Sequence, residues 1–169
     1  SDTDIYHNFK KYSTHMLSWI KDLKEGQTAF ENTDPNKKPH RIVNGEMKCN
    51  ENKNGDKYKR CFWNKTAPCV HTRNDILSSQ ATIHPKDNRV FSIRELMVMM
   101  TIPKDFRWIN SELEDLKKIT TAEKTKLLSR EEINISQSIG EAVPTEIFRQ
   151  IAEKIKKKLS TIQLNKTKI

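Results

Sequence analysis

Residues 137–159, "QSIGEAVPTEIFRQIAEKIKKKL", combine a rare glycine, a proline and a long apolar repeat. Gly140 is one of only four glycines in the 169-residue chain, and Pro144 follows it closely. Proline is favoured in the first turn of a helix, and apolar residues at steps of four define one helical face. We therefore predict a tight turn at Gly140, followed by a C-terminal helix with the apolar face Ile147, Ile151, Ile155 and Leu159.

The first half of the chain predicts one long helix and several short strands. Between Asp4 and Lys24, apolar residues recur at steps of three and four, which indicates a helix that Gly26 ends. The following segment is rich in Asn, Lys, Pro and Gly, a composition typical of loops. Short strands are predicted at His40–Val43, in "KYKRCFW" at 57–63 and in "CVHTR" at 69–73.

Helix starts in the second half are marked by capping boxes, in which a Ser or Thr is followed three residues later by Glu. Ser92 with Glu95 predicts a helix through Met100. The pairs Ser111–Glu114 and Thr120–Glu123 predict two further short helices. The expected fold class is α+β, with a small mixed β region and several helices.

The charge balance favours a polyanionic partner. The chain has 31 Lys and Arg residues against 22 Asp and Glu, a formal net charge of +9. Phosphate contacts release counterions and steer association, so such a surplus suits nucleic acid. The alternative from charge alone is a soluble basic protein with no nucleic-acid role.

The cysteines indicate a reducing compartment and no metal site. Their odd number and the lack of CxxC spacing argue against a disulfide framework, so we expect a cytoplasmic protein. No apolar run approaches 18 residues, so no membrane partner is expected. The spacings among Cys49, Cys61, Cys69 and His71 match no common zinc pattern. Complete phosphate-binding loops and the HExxH and GxSxG motifs are also absent from the sequence.

Two segments, residues 62–108 and 135–155, carry a more specific pattern. The first contains Trp63, Pro68, His84-Pro85, Asn88-Arg89, Arg94-Glu95, Pro103 and Phe106. The second contains Gln137, Ile139, Gly140, Ala142, Val143 and Pro144. In this order they resemble the ninth and tenth motifs of the DNA (cytosine-5)-methyltransferases. Glu141 stands where that family usually has Asn.

This resemblance implies a division of the chain. Residues 1–110 would form a target-recognition region that runs into the ninth motif. Residues 111–169 would form a helical segment, with the tenth motif, that completes the catalytic domain. The C-terminal helix would then lie against a Rossmann-like methyltransferase domain. The implied cofactor is S-adenosyl-L-methionine, held mostly by an N-terminal half outside this chain and bordered here by Gly140, Glu141, Ala142 and Val143.

The resemblance also implies that this chain is inactive alone. The reaction needs a cysteine nucleophile in a Pro-Cys-Gln loop, because carbon 5 of cytosine reacts only after a thiolate has added to carbon 6. It also needs a glutamate in a Glu-Asn-Val element. Neither element occurs here, and Pro68-Cys69 is not followed by Gln, so no catalytic residue is predicted.

In the family, the segment before the ninth motif enters the major groove of duplex DNA. Side chains with paired donors can read base edges there. Arg89 and Arg94, flanked by apolar residues, are instead predicted to be scaffold arginines paired with acidic neighbours. The predicted DNA-binding residues are Lys59, Arg60, Lys65, Arg73 and Asn74.

Two other functions remain open at this point. One is a stand-alone basic DNA- or RNA-binding module without catalysis, and the other is a helical interaction protein whose charge maintains solubility. An adjoining sequence with Pro-Cys-Gln and Glu-Asn-Val would favour the methyltransferase, which by resemblance serves restriction and modification. Salt-dependent duplex binding would exclude the interaction protein.

Overall fold

The computed structural model describes residues 4–51, 55–110 and 118–166, and these have an α+β fold, as predicted. The helix predicted from Ser111 and Glu114 lies outside the described residues. The described α-helices are α1 (Thr14–Ile20), α2 (Ile93–Met99), α3 (Thr121–Glu141) and α4 (Thr145–Lys166). Two strands, β1 (His40–Val43) and β2 (Glu46–Cys49), form an antiparallel sheet, and short 3₁₀ turns lie at Ala29–Glu31 and Pro35–Lys37.

Two of the predicted capping boxes are confirmed. Ser92 accepts a hydrogen bond from the backbone N–H of Glu95, whose carboxylate accepts from the Ser92 N–H in return. Thr120 and Glu123 make the same reciprocal pair. The helix that begins after Thr120 is 21 residues long, however, and not short as predicted.

The long N-terminal helix was predicted wrongly, because only α1 is helical within residues 4–24. The preceding segment is held against α2 instead. Asp4 pairs with Arg94, and the Tyr6 carbonyl accepts from the Arg94 N–H. Tyr6 is buried, and its hydroxyl accepts from the N–H of Trp108 at 2.9 Å. Tyr6 and Ile5 therefore join the core without continuing the helix, whereas Phe9 is exposed.

The strand predicted at 40–43 is confirmed, but those at 57–63 and 69–73 are not. Lys57, Lys59 and Arg60 make single bridges to three different partners. Tyr58 has a positive φ of 51°, which interrupts the alternation that a regular strand requires. The segment is therefore an irregular connection held by isolated bridges.

The buried apolar residues of the described ranges form two clusters. One joins α1 to the irregular connections between 58 and 90 and includes Trp19, Ile20, Leu77 and Ile83. The other joins α2 to α3 and contains residues from both sides of position 110. The predicted regions 1–110 and 111–169 therefore share this cluster. Its buried members are Tyr6, Ile93, Leu96, Met97, Met100, Ile109, Leu128, Ile135 and Ile139.

The tight turn predicted at Gly140 is wrong. Helix α3 continues through Gly140 and Glu141, and the chain leaves the helix at Ala142, which has extended backbone angles. Pro144 then directly precedes the start of α4 at Thr145. The break between the helices therefore falls two to four residues later than the glycine suggested.

Candidate functional site

The last turn of α3 lies directly against the loop at 71–74. A Cβ built on Gly140 would lie 2.4 Å from both the carbonyl carbon of His71 and the nitrogen of Thr72. Nearby, the Asn74 amide donates to the carbonyls of His71 (2.7 Å) and Ser136 (2.9 Å). Glycine is thus required for contact between two backbone segments of this chain.

The four residues predicted to border a cofactor differ in accessibility. Gly140 contacts the loop, and Ala142 contacts the core cluster between α2 and α3. Glu141 is exposed, and its carboxylate accepts from the Gln137 amide at 2.9 Å. Val143 is also exposed. Glu141 and Val143 are therefore the more accessible of the four, whereas Gly140 and Ala142 are only partly exposed.

Helix α4 leaves its apolar face uncovered in this chain. Within the described part of the chain, its polar contacts to other elements join Thr145 and Glu146, in the first turn, to Thr101, each at 3.1 Å. An apolar stripe follows the helix and contains the four predicted residues Ile147, Ile151, Ile155 and Leu159, together with Phe148 and Ile162. All six side chains are between 45% and 56% exposed, and the exposed Val143 lies just before the helix. A stripe of this size is typical of a surface that another polypeptide covers.

Arg60 occupies a position that does not fit the predicted DNA contact. It is only 3% exposed, and its guanidinium donates to the carbonyls of Ile20, His84 and Asp87 and to the side-chain oxygen of Asn88. A guanidinium that is buried and whose two terminal nitrogens donate to four protein acceptors is not accessible to a base edge. Arg60 instead joins the end of α1 to the loop at 84–88.

Asn74 is likewise buried, with both of its known bonds made to backbone carbonyls of this chain. Its geometry therefore corrects the expectation that it reads DNA. The same bonds give it a clear structural function, because they fix the 71–74 loop to α3.

The other three predicted DNA-binding residues are accessible. Arg73 is exposed and pairs through Nε with Asp75 at 3.1 Å. Lys65 is exposed, with Nζ 3.7 Å from the centre of the Phe62 ring. Lys59 is partly exposed and pairs with Asp56 at 2.7 Å. The Lys59–Asp56 pair is partly exposed on both sides and therefore weak, so Lys59 can exchange Asp56 for phosphate, whereas the carboxylate that pairs with Arg73 is buried.

Arg89 and Arg94 are scaffold arginines, as predicted. Arg89 donates to both carboxylate oxygens of Glu95 (2.7 and 2.9 Å), and Arg94 makes the same bidentate contact with Asp4 (2.6 and 3.1 Å). Burial alone would raise the pKa of Glu95, but the bonds from Arg89 and Ser92 outweigh it and lower the pKa to about 2.

The cysteines have different environments. Cys49 and Cys69 are exposed, whereas burial raises the pKa of the Cys61 thiol to about 11 and makes it unreactive. Within residues 4–51, 55–110 and 118–166, no three His, Cys, Asp or Glu side chains are grouped as metal ligands. No helix in the described part of the chain combines the length and apolar character needed to cross a bilayer.

The β1–β2 hairpin was not predicted from the sequence, apart from its first strand. The connection is Asn44-Gly45, and both residues have positive φ, at 52° and 80°. Asn-Gly between two strand-forming segments is the strongest short signal for such a turn. Beyond its root the hairpin is exposed on both faces.

Comparison with known proteins relates the chain to Type II methyltransferases. It is 28% identical over 162 residues to the Type II methyltransferase M1.HgaI of Avibacterium volantium, covering 89% of this chain and 38% of that protein. It is 29% identical over 103 residues to the Type II methylase M.HgiDII of Herpetosiphon aurantiacus, covering 61% of this chain and 25% of that protein. The chain thus spans less than half the length of these relatives. No family model matches the sequence, and no solved structure matches it.

Proposed function

We propose that this chain is the DNA-recognition and cofactor-edge portion of a DNA (cytosine-5)-methyltransferase of a restriction-modification system. The resemblance of residues 62–108 and 135–155 to the ninth and tenth motifs supports this assignment, and so does the relationship to Type II methyltransferases. The complete enzyme would methylate cytosine in duplex DNA and would act in the cytoplasm, where its DNA substrate lies.

The observation that carries the proposal is the uncovered apolar stripe of α4. Covering one half-exposed aliphatic or aromatic side chain contributes roughly 1 kcal/mol, so the stripe offers several kcal/mol to a partner that matches it. The alignment with M1.HgaI leaves more than half of that protein outside this chain. The proposed occupant is therefore the catalytic portion of the same enzyme, in an N-terminal half.

The same portion would hold most of the cofactor. S-adenosyl-L-methionine supplies the methyl group in this class of enzyme. Among the residues of this chain, Glu141 and Val143 fit a position at the edge of the cofactor site, since both are exposed beside the α4 stripe. Gly140 and Ala142 would act indirectly, by fixing the end of α3 against the loop and the core.

On the DNA side, Lys59, Lys65 and Arg73 are proposed to contact phosphates. The target cytosine cannot react inside the base stack, so it must swing out of the duplex into the catalytic portion. The catalytic portion would also supply the cysteine nucleophile. This chain would bind the duplex and orient it.

Reconstitution tests this function. This chain and the remaining polypeptide of the enzyme would be mixed with labelled S-adenosyl-L-methionine and duplex DNA, and the modified nucleoside would be identified. We expect 5-methylcytosine from the mixture and from neither part alone. The double variant Ile151→Ser/Ile155→Ser should abolish assembly and transfer, whereas the matched polar-face variant Gln150→Ser/Glu153→Ser should retain both.

Three outcomes would contradict the proposal. Methyl transfer by this chain alone would place the nucleophile within it. A product methylated on an exocyclic nitrogen would exclude cytosine-5 chemistry. Duplex binding without any methyl transfer by the mixture would favour the alternative, a stand-alone binding module.

A further inference from the structure

The β1–β2 hairpin is a short regular ribbon with a defined register. His40 pairs with Cys49, Arg41 with Lys48, Ile42 with Met47 and Val43 with Glu46. The positive φ angles of Asn44 and Gly45 correspond to a type I′ turn, whose twist matches that of the two strands. The ribbon therefore has a fixed shape in spite of its exposure.

Its root is anchored in the core, although its tip is free. Pro39 and His40 are buried, and His40 packs beside the Trp19 ring. His40 Nδ1 donates to the Lys38 carbonyl at 2.8 Å, and its Nε2 lies 2.8 Å from Nε2 of His15. A backbone bond from Asn50 to the Pro39 carbonyl closes the root.

One face of the ribbon brings two cations together. Arg41 and Lys48 are directly opposite each other across the strands, so their side chains lie on the same face. Neither forms an ion pair within the described residues, and Glu46 on the same face pairs with neither. Like charges in this arrangement destabilise a hairpin, and a polyanion would remove the repulsion.

The other face is apolar and equally uncovered. Ile42 is 62% exposed and Met47 is 41% exposed, and the two residues are directly opposite each other. The ribbon thus offers cations on one side and apolar groups on the other. Both kinds of contact occur in the major groove, with phosphates and guanine edges for the cations and thymine methyl groups for the apolar side chains.

We propose that the β1–β2 hairpin enters the major groove of duplex DNA as a two-stranded ribbon, with Arg41 and Lys48 as its principal contacts. The inference rests on the proposed function and identifies the segment that contacts the base edges. The major groove is about 12 Å wide and admits a two-stranded ribbon, whose strands are about 4.8 Å apart. Asn44 and Gly45, at the tip, would lie deepest in the groove.

The test measures binding of this chain to a fluorescent duplex of mixed sequence at several salt concentrations. The double variant Arg41→Gln/Lys48→Gln should weaken binding about tenfold or more. It removes two cations that can each contact a phosphate, and one of them can instead bind a base edge. It should also make the slope of log affinity against log salt shallower by roughly 2. The control Lys157→Gln/Lys158→Gln removes the same charge from exposed positions on α4 and should change both quantities far less.

A second variant tests the shape of the ribbon without a change in charge. Gly45→Val places a β-branched residue at a φ of 80°, where it is strained, so it should distort the turn and weaken binding. The urea unfolding transition of the two charge variants should match that of the wild type, because the substituted positions are exposed. For Gly45→Val, the same transition shows that the rest of the chain stays folded while the turn is strained.

The possible outcomes separate this inference from the proposed function. Equal weakening in the hairpin and α4 variants would overturn the hairpin as the segment that contacts the base edges, while leaving DNA recognition intact. Undiminished binding by Gly45→Val would overturn the groove-entering ribbon, since charge without shape would then suffice. If the wild-type chain binds no duplex, both the inference and the proposed recognition role fail. Because the chain is tested alone, loss of a contact with the catalytic portion cannot explain any of these results.

Discussion

The Cα of Gly140 lies against the backbone of His71, so closely that a Cβ there would be 2.4 Å from the His71 carbonyl carbon. This relationship joins the two segments that resemble methyltransferase motifs, since His71 belongs to the first and Gly140 to the second. The Asn74–Ser136 bond at 2.9 Å reinforces the same junction. The end of α3 is therefore positioned by the loop at 71–74.

This junction predicts the effect of a single methyl group. Gly140→Ala should lower the free energy of unfolding by roughly 1–3 kcal/mol, because the new Cβ meets backbone that cannot turn aside as a flexible side chain can. In an unconstrained helix the same change would stabilise by up to about 1 kcal/mol. Urea unfolding of the isolated chain measures the difference. Ser138→Ala, at an exposed position of the same helix, serves as the control and should be neutral or slightly stabilising.

The position of Arg60 predicts a loss of stability that a DNA-contacting residue would not cause. Arg60→Gln removes hydrogen bonds to three backbone carbonyls and leaves them buried without their donor. We expect the free energy of unfolding to fall by roughly 3 kcal/mol or more. Lys65→Gln, which removes one charge at an exposed position five residues later, should change stability by less than about 0.5 kcal/mol. A stable Arg60→Gln variant with weakened duplex binding would show instead that Arg60 faces DNA.

Local signals in the sequence predicted the helix starts well, because a capping box satisfies its backbone donors within four residues. The boxes at Ser92 and Thr120 needed no distant partner, and both occur. The apolar period of α4 was equally local. Asn44-Gly45 is a local signal of the same kind, and it would have predicted the hairpin turn.

Features that depend on distant contacts could not be predicted in this way. Asp4 and Arg94 are 90 residues apart in sequence, and their ion pair helps hold the N-terminal segment outside the helix that its periodicity indicated. Arg60 was assigned to DNA because charge alone does not reveal burial. Its four acceptor residues lie 24 to 40 positions away in the sequence. A glycine in a sequence likewise does not show whether a ligand or another backbone segment lies against it.

The Arg89–Glu95 pair predicts a dependence of stability on pH. The pKa of Glu95 is about 2 in the folded chain and near 4.5 when unperturbed, so the ionised carboxylate stabilises the fold above the higher value. This contribution, roughly 2–3 kcal/mol, should be lost as the pH falls from about 4.5 to about 2. Urea unfolding of the wild type and of Glu95→Gln at several pH values gives the difference.

The variant curve should approach the wild-type curve at the acid end of this range, where the wild type has also lost its charge. Glu131→Gln, at an exposed position on α3, should follow the wild type throughout. A constant difference between Glu95→Gln and the wild type at every pH would contradict the prediction, because the loss would then not come from ionisation.

The α4 stripe predicts a contrast between stability and assembly. Ile151→Ser/Ile155→Ser should change the free energy of unfolding of the isolated chain by less than about 0.5 kcal/mol, since both side chains are about half exposed and have no core neighbours to lose. Ile139→Ala, at a fully buried position of α3, should cost roughly 2–4 kcal/mol in the same urea experiment. If the α4 double variant loses as much as Ile139→Ala, the stripe is already covered in the isolated chain, and it is not a surface left for the catalytic portion.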